Sequence, residues 1–295
     1  MDVQLPRDVL LHVADLHFWQ VEWNPLRMLN KRAMGNLNVL LKRRRYFKME
    51  AADPYIEALR AAGGTDILLT GDFTSTASEA EFAMAKAFVD RLQRSGFSVH
   101  LVPGNHDVYT FESVRDHRFA RHFGPLLPPA GFPVRRTLAG GTPIILVPTV
   151  CPNMLSSKGL IHELEIEKTA ELLSRCEDSV IIVAGHYPLL NRTHAYELTR
   201  ERRLRNADAL RKALGESGKR ILYVAGHVHR FSHTQDPHYP NLRHLTTGAF
   251  FYRNRKESVT GEFSRLDIQD AACCVHRFVH THEWGSEEVH VSTHA

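Results

Sequence analysis

Short apolar runs rich in β-branched residues recur along the chain up to residue 225, and most of them stop at a Gly or an Asp. Runs of this length, bounded by turn residues, are typical of buried strands. They predict strands at 9–14, 66–70, 99–102, 144–147, 180–184 and 221–225. In open α/β sheets, the residues that follow the carboxyl ends of such strands line the binding crevice.

Helical patterns fill the intervals between these strands. Pro54 suits a first helical position, Gly63 suits a helix end, and Ser78 with Glu81 forms a capping box. The predicted helices lie at 54–62, 78–94, 111–123, 163–175 and 206–214. Strands that alternate with helices predict an α/β fold whose sheets are covered by helices.

The pattern changes beyond Phe231, where short alternating runs predict strands at 242–247, 263–268 and 273–280. Residues 124–141 hold four prolines and read as a loop-rich insert, and the residues from Glu287 onward resemble a frayed end. We therefore expect one domain over 1–295, built as a two-layered sheet sandwich with helices on its outer faces and a β-rich part from about 231.

The composition says more about where in the cell the protein is found than about what it does. The apolar fraction is 43%, the charged fraction 24% and the net charge +4, which are values of an ordinary globular protein. The four cysteines show no CxxC spacing, and the N-terminus has no continuous apolar segment of the signal-peptide kind. We expect a cytoplasmic protein, or one held on the cytoplasmic face of a membrane.

One stretch departs from this average. An insert at about 20–50 contains a segment, 25–48, that is rich in Lys and Arg and lacks Asp and Glu. Leucines at roughly helical spacing predict one or two basic amphipathic helices there. Such a helix can be a solvated face near an anionic substrate, or can lie on an anionic membrane surface. Nucleic-acid binding is disfavoured, because only Tyr46 and Phe47 could stack on bases.

Five short segments follow strands and carry metal-binding residue types. They are Asp15-Leu16-His17, Gly71-Asp72, Gly104-Asn105-His106-Asp107, Gly185-His186 and Gly226-His227-Val228-His229. Each segment alone is weak, since Gly-Asp is commonly a turn and an isolated His is commonly a core residue. As an ordered set at strand ends they predict a metal site.

The mixture of ligand types indicates which metals are expected. Two divalent ions about 3.5–4 Å apart can activate a bridging water and clamp a phosphate. A carboxylate between the ions offsets their repulsion. Imidazole together with carboxylate favours Mn, Fe, Zn or Co over Ca or Mg. No thiol occurs in the set, which argues against a structural cysteine–zinc site.

The same five segments resemble the calcineurin-like metallophosphoesterase superfamily, whose pattern is D-x-H, G-D, G-N-H-[DE], G-H and G-H-x-H. The match spans residues 15–229. The resemblance implies a four-layer αββα sandwich with a dinuclear metal site at the carboxyl ends of the strands. It also implies two divalent transition-metal ions, with Mn²⁺ favoured and Fe or Zn as alternatives.

The resemblance also assigns roles to residues. It implies that Asp15, His17 and His229 hold one metal, that Asn105, His186 and His227 hold the other, and that Asp72 bridges them. His106 would hydrogen-bond the phosphate and protonate the leaving oxygen. Asp107 would orient His106 as a catalytic partner, and the alternative is an Asp that only stabilises its own turn.

The family's branches differ in substrate. Gly71–Thr76 and Gly104–Asp107 depart from the G-D-x-x-D-R-G and G-N-H-E motifs of protein Ser/Thr phosphatases, and the short stretch after His229 leaves little room for a nuclease domain. The chain is more similar to small bacterial-type phosphodiesterases and UDP-2,3-diacylglucosamine pyrophosphatases. We expect a bridging hydroxide to cleave a phosphodiester or pyrophosphate bond in a small nucleotide, such as a cyclic nucleotide, or in a nucleotide-linked precursor of lipid A. A nuclease and a non-catalytic metal-binding scaffold are the alternatives.

Overall fold

Strands account for both layers at the centre of the molecule. The computed structural model describes residues 6–21, 44–152, 157–178, 180–254, 258–269 and 272–292. The strands are β1 Asp8–Val13, β2 Asp66–Leu69, β3 Ser98–Leu101, β4 Val134–Thr137, β5 Pro143–Leu146, β6 Gly159–Leu160, β7 Val180–Ala184, β8 Leu204–Arg205, β9 Arg220–Ala225, β10 Ser232–Gln235, β11 Leu242–Thr246, β12 Gly261–Ile268, β13 Cys273–His280 and β14 Trp284–Glu288. The main helices are α1 Ala52–Ala62, α2 Glu79–Arg94, α3 Phe111–Arg115, α4 Arg118–Phe123, α5 Glu163–Ser174 and α6 Ala207–Glu216.

Two six-stranded sheets hold these strands, with a separate pair formed by β6 and β8. The first sheet has the order β14-β13-β12-β1-β2-β3, and the second has the order β10-β11-β9-β7-β5-β4. Strands β1, β2 and β3 run parallel, as do β5, β7, β9 and β11, while the outer strands pair antiparallel. Parallel strands bring all their carboxyl ends to one edge of the molecule.

Alternation of side chains along the strands sorts the core into three apolar layers. Leu11 of β1 packs in a cluster with α1 and α2, whereas Leu10 belongs to a second cluster that also contains Ile144 of β5. Ile145 belongs to a third cluster with α5 and α6. Because neighbouring residues of a strand face opposite sides, one sheet lies on the other and helices cover both outer faces. The predicted four-layer αββα sandwich is confirmed.

Three local predictions were wrong. The helix predicted at 111–123 is split into α3 and α4, because His117 takes a left-handed backbone conformation with φ 48°. The loop-rich insert 124–141 contains β4, an edge strand antiparallel to β5. Glu287 and Glu288, expected in a frayed end, belong to β14, which pairs with β13.

The basic amphipathic helices predicted within 25–48 lie outside the described residues, except for 44–48. This described end is anchored beside the sheet. The Lys48 backbone N donates to the Phe251 carbonyl at 2.9 Å, and the Arg253 N donates to the Tyr46 carbonyl at 2.7 Å. Within the described ranges, no helix combines the length and the apolarity needed to cross a membrane.

Candidate metal centre

All five segments singled out from the sequence meet at the edge where the parallel strands end. Three of them follow β1, β2 and β3 of the first sheet, and two follow β7 and β9 of the second sheet. Contacts cross between the sheets: the His17 and His229 Nε2 atoms are 3.0 Å apart, and the His186 Nε2 lies 3.0 Å from the Asn105 Oδ1. The segments therefore form one site.

Asp15, His17, Asp72 and His229 form one half of the site. Each offers one ligand atom, and these atoms all lie within 4.8 Å of one another. The His229 Nε2 is 3.7 Å from the Asp15 Oδ1, and the His17 Nε2 is 3.5 Å from the Asp72 Oδ2. The His17 Nδ1 lies 3.3 Å from the Thr74 carbonyl, which leaves Nε2 facing the other three ligand atoms.

Asn105, His186 and His227 form the other half. The Asn105 Oδ1 lies 3.0 Å from both the His186 Nε2 and the His227 Nδ1. The second oxygen of Asp72, Oδ1, is 3.5 Å from the His186 Nε2, while its partner Oδ2 faces His17. The Asp72 carboxylate therefore stands between the two halves with one oxygen turned to each.

Backbone carbonyls determine which nitrogen of each imidazole faces the site. The His186 Nδ1 lies 2.8 Å from the Thr70 carbonyl, and the His227 Nε2 lies 3.0 Å from the Arg202 carbonyl. A carbonyl only accepts, so these nitrogens carry the hydrogens and the opposite nitrogens present lone pairs to the Asn105 oxygen. Acceptor atoms that converge without a donor are the arrangement that a bound cation fits.

Burial keeps these imidazoles in the form that binds metals. It lowers the pKa of His186 to about 4. It also lowers the pKa of His227 well below its usual value, and the neighbouring His186 and Arg202 add to that effect. Both rings are therefore neutral near pH 7, with their lone pairs available.

The backbone at the site is unusual. Five residues have positive φ angles, namely Asp15 (55°), His17 (50°), Asp72 (54°), His227 (69°) and His229 (53°). Non-glycine residues seldom adopt this region, although Asp and His are among those that do. Gly104 is needed because the chain passes close to Asp72: a Cβ at residue 104 would overlap the backbone N and Oδ1 of Asp72.

His106 lies beside the ligand cluster. Its backbone N donates to the Asp72 Oδ1 at 2.8 Å, and its Nδ1 lies 2.7 Å from the Ser75 carbonyl. The His106 ring stacks on Tyr109 with centroids 5.2 Å apart and 11° between planes, and meets the His17 ring edge-on at 5.0 Å. The ring is therefore held on two sides next to the metal-ligand residues.

Asp107 has a different set of contacts from the one expected. Its Oδ1 accepts from the Thr74 N at 2.9 Å and the Thr74 hydroxyl at 3.0 Å. Its Oδ2 accepts from the Gly104 N at 2.8 Å and the Phe73 N at 3.2 Å. The Ser75 carbonyl, not Asp107, holds the His106 Nδ1. Asp107 thus ties two loops together, which corrects the expectation that it orients the His106 ring.

Sequence reasoning missed the residues around the ligands. Phe47 packs edge-on against His17 with centroids 4.9 Å apart, and the Tyr252 ring lies 5.3 Å from Phe47. Tyr109 lies against His106. No spacing rule places these rings at the site, because each reaches it from a different loop. The four backbone carbonyls that hold the imidazoles, those of residues 70, 74, 75 and 202, likewise leave no side-chain signal in the sequence.

Comparisons with known proteins agree with this geometry. The calcineurin-like phosphoesterase family matches residues 9–231. No curated protein matches the chain significantly. A dimetal phosphatase from Danio rerio is 14% identical with a TM-score of 0.62, and the alignment covers 95% of this chain and 98% of that one.

Two further structures share the fold. PhoD is 9% identical with a TM-score of 0.58, over 99% of this chain and 73% of that one. The purple acid phosphatase PPD1 from yellow lupin is 11% identical with a TM-score of 0.55, over 95% and 53%. At these identities the likeness concerns the fold. The family match, which spans most of the chain and all five ligand segments, shows that this protein belongs to the calcineurin-like phosphoesterase family of metal-dependent hydrolases.

Proposed function

We propose that this phosphoesterase cleaves a phosphodiester or pyrophosphate bond in a small nucleotide or a nucleotide-linked lipid precursor, using two divalent transition-metal ions. The observation that carries the proposal is the position of Asp72. One of its carboxylate oxygens lies 3.5 Å from the His17 Nε2 and the other lies 3.5 Å from the His186 Nε2. A single carboxylate shared by two sets of ligands is what a dinuclear site requires.

The chain divides its ligands between the two ions. Asp15, His17 and His229 would hold one ion, Asn105, His186 and His227 would hold the other, and Asp72 would contact both. When bound, the ions would activate water and clamp the phosphate during in-line displacement. A donor set of imidazole and carboxylate suits Mn²⁺ and, as alternatives, Fe or Zn.

His106 supplies proton transfer in this scheme. The Ser75 carbonyl accepts the hydrogen of Nδ1, so in the imidazolium form the hydrogen on Nε2 would bond to the phosphate and pass to the leaving oxygen. The bond from its backbone N to Asp72 fixes the ring relative to the shared carboxylate. Asp107 contributes by holding the loops that carry Asn105 and Asp72.

The lipid-linked substrate draws support from the basic stretch 25–48. Its described end reaches the site, because Phe47 contacts His17 with ring centroids 4.9 Å apart. The stretch combines Lys and Arg with leucines, a composition suited to an anionic substrate that carries acyl chains or to an anionic membrane.

A substrate panel tests the proposal. The protein is loaded with Mn²⁺ and assayed on bis-p-nitrophenyl phosphate, cyclic AMP and UDP-2,3-diacylglucosamine, with and without detergent, and on p-nitrophenyl phosphate as a monoester. We expect hydrolysis of at least one diester or pyrophosphate at a kcat/KM above that of the monoester. Dependence on detergent would select the lipid-linked substrate over the cyclic nucleotide.

The matched variants are Asp72→Asn, which keeps the shape of the shared ligand but removes its charge, and Asp90→Asn on the surface of α2. Asp72→Asn should lose metal and activity while remaining folded, whereas Asp90→Asn should lose neither. A preference for the monoester contradicts the substrate class. A metal-loaded protein inert on the whole panel supports the scaffold alternative.

A further inference from the structure

Arg202 is a positively charged residue that lies against the metal centre. It ends a 3₁₀ turn, Arg200–Arg202, which leads into β8. Its backbone carbonyl accepts from the His227 Nε2 at 3.0 Å, and its Nη2 donates to the His227 carbonyl at 3.0 Å. The backbone and the side chain of Arg202 therefore both contact the half of the site that contains Asn105, His186 and His227, here called the Asn105 half.

Most of the hydrogen-bonding capacity of the Arg202 guanidinium is unused. An arginine side chain has five N–H donors. Within the described part of the chain, only the bond from Nη2 to the His227 carbonyl uses one of them, and no carboxylate oxygen lies within 4.0 Å of the guanidinium nitrogens. Because Arg202 is an exposed residue, a ligand from solution can reach the other N–H groups.

The charge of Arg202 acts on two imidazoles of the site. Burial is the main cause of the lowered pKa of His186 and of His227, and the positive charge of Arg202 lowers the pKa of both rings further. A charge shifts a pKa mainly at short range. The guanidinium therefore lies close to both rings of the Asn105 half.

Negative charge is scarce around Arg202. Residues 200–205 contain four arginines and one acidic residue, Glu201, which pairs with Lys158 at 3.3 Å. The ligands of the Asn105 half are one amide and two neutral imidazoles, so the shared Asp72 is its only carboxylate. A positive charge without a carboxylate partner repels bound metal ions, and an anion beside it would offset that repulsion. The surroundings of Arg202 therefore favour an anionic group of the substrate.

We propose that Arg202 binds a second phosphate of the substrate, the one that is not attacked, through the N–H groups that the bond to His227 leaves unused. The planar fork of an arginine matches a pair of phosphate oxygens. His106, the proton donor of the proposed function, lies beside His17 in the other half, so the two residues can contact different parts of one substrate. This inference rests on the proposed function and narrows it to substrates with a pyrophosphate link, because a cyclic nucleotide has no second phosphate.

Two variants remove the same charge from the same turn. Arg202→Gln removes the guanidinium that contacts His227, and Arg200→Gln is the matched control at an exposed arginine whose side chain has no contact among the described residues. The Arg202→Gln protein should keep the manganese content of the unchanged protein, measured by mass spectrometry, because the carbonyl that holds the His227 ring belongs to the backbone. Loss of metal would mean that the Arg202 side chain positions His227, and would overturn the inference.

Binding is measured first, by titration calorimetry of the Mn²⁺-loaded protein. The ligands are uridine 5′-monophosphate and uridine 5′-(α,β-methylene)diphosphate, which has one more phosphate and a P–C–P bridge that resists hydrolysis. Arg202→Gln should lower the affinity for the diphosphate analogue at least about tenfold and the affinity for the monophosphate less than about threefold. Arg200→Gln should leave both affinities within about threefold. Absence of binding by the analogue, or an equal loss for the two ligands, overturns the inference.

Hydrolysis is measured second, on UDP-2,3-diacylglucosamine in detergent, which has two phosphates, and on bis-p-nitrophenyl phosphate, which has one. The ratio of the two kcat/KM values should fall at least about tenfold in Arg202→Gln and stay constant in Arg200→Gln. Hydrolysis of bis-p-nitrophenyl phosphate alone, or of both substrates with an unchanged ratio, refutes the role of Arg202 and leaves the phosphodiesterase proposal standing. Hydrolysis of neither refutes the proposed function, and the binding measurement then decides the role of Arg202 by itself.

Discussion

Replacing Asp107 with Asn separates the two roles that this carboxylate could have. In the structure its oxygens accept three backbone N–H groups and one hydroxyl, from Phe73, Thr74 and Gly104. The side chain is 1% exposed, so water does not replace a lost bond. An amide of the same shape removes one acceptor and the charge while leaving the volume of the side chain almost unchanged.

The expected cost follows from the geometry. The less costly orientation of the substituted amide turns its NH₂ group toward Thr74, whose hydroxyl can accept, and leaves the Thr74 N–H without an acceptor. A buried donor that loses its partner costs about 1–3 kcal/mol. Asp107→Asn should therefore lower the free energy of unfolding by about 1–3 kcal/mol, and Asp107→Ala by more, since it removes the acceptor of all three N–H groups.

The assay is urea denaturation of the metal-free protein, so that metal binding does not contribute to stability. Asp90→Asn, which breaks only a surface pair with Lys86 at 2.5 Å, should cost less than about 1 kcal/mol. The opposite pattern would refute the reasoning. If Asp107→Asn unfolds at the same urea concentration as the unchanged protein but loses about 100-fold in kcat, equivalent to about 2.7 kcal/mol, Asp107 acts on His106.

Three further substitutions test other contacts. Tyr109→Ala should lower kcat about tenfold by releasing the His106 ring. Tyr109→Phe keeps the aromatic stack, and its kcat should stay within about twofold of the unchanged protein. Equal kcat values for the two variants would exclude a role for the Tyr109 ring. Gly104→Ala should displace Asp72 and lower the metal content measured by mass spectrometry, and full occupancy would contradict the close approach. Asp236→Asn leaves the Arg211 guanidinium, which Asp236 binds at 2.6 and 2.8 Å, without its counter-charge. The free energy of unfolding in urea should fall by about 3 kcal/mol, and an unchanged denaturation midpoint would contradict this.

The strands could be predicted more fully than the connections between them. Apolar runs that end on turn residues mark the central parallel strands, because both faces of those strands are buried. Strand β14, Trp284–Glu288, could not be predicted in this way, because it is a largely polar edge strand that pairs only with β13. The break between α3 and α4 could not be predicted either, because the left-handed conformation of His117 does not change the spacing of apolar residues.

The site, like the fold, could be predicted only in part. Ligand types at strand ends predict that Asp15, Asp72 and His186 converge, because parallel topology brings strand ends together. The contacts of Asp107 could not be predicted. Its place beside His106 in the chain suggests a catalytic pair. Its oxygens instead accept from the backbone N–H groups of Phe73 and Thr74, in a loop more than thirty residues earlier, and from the Gly104 N. Backbone N–H partners of this kind leave no pattern in the sequence.

Strain and hydrogen bonding together explain why the ligand loops hold their shape. Left-handed conformations at non-glycine residues cost of order 1–3 kcal/mol each and persist only where the surroundings over-determine them. Here each loop is held by another: the Asp15 N donates to the Gly71 carbonyl at 3.1 Å, the His17 N to the Asp72 carbonyl at 2.8 Å, and the His227 N to the Asp15 Oδ1 at 3.1 Å. The last of these bonds joins the two sheets. The positions of the ligands therefore depend on the docking of one sheet on the other, so a substitution in the apolar layer between the sheets would disturb the metal centre without touching any ligand.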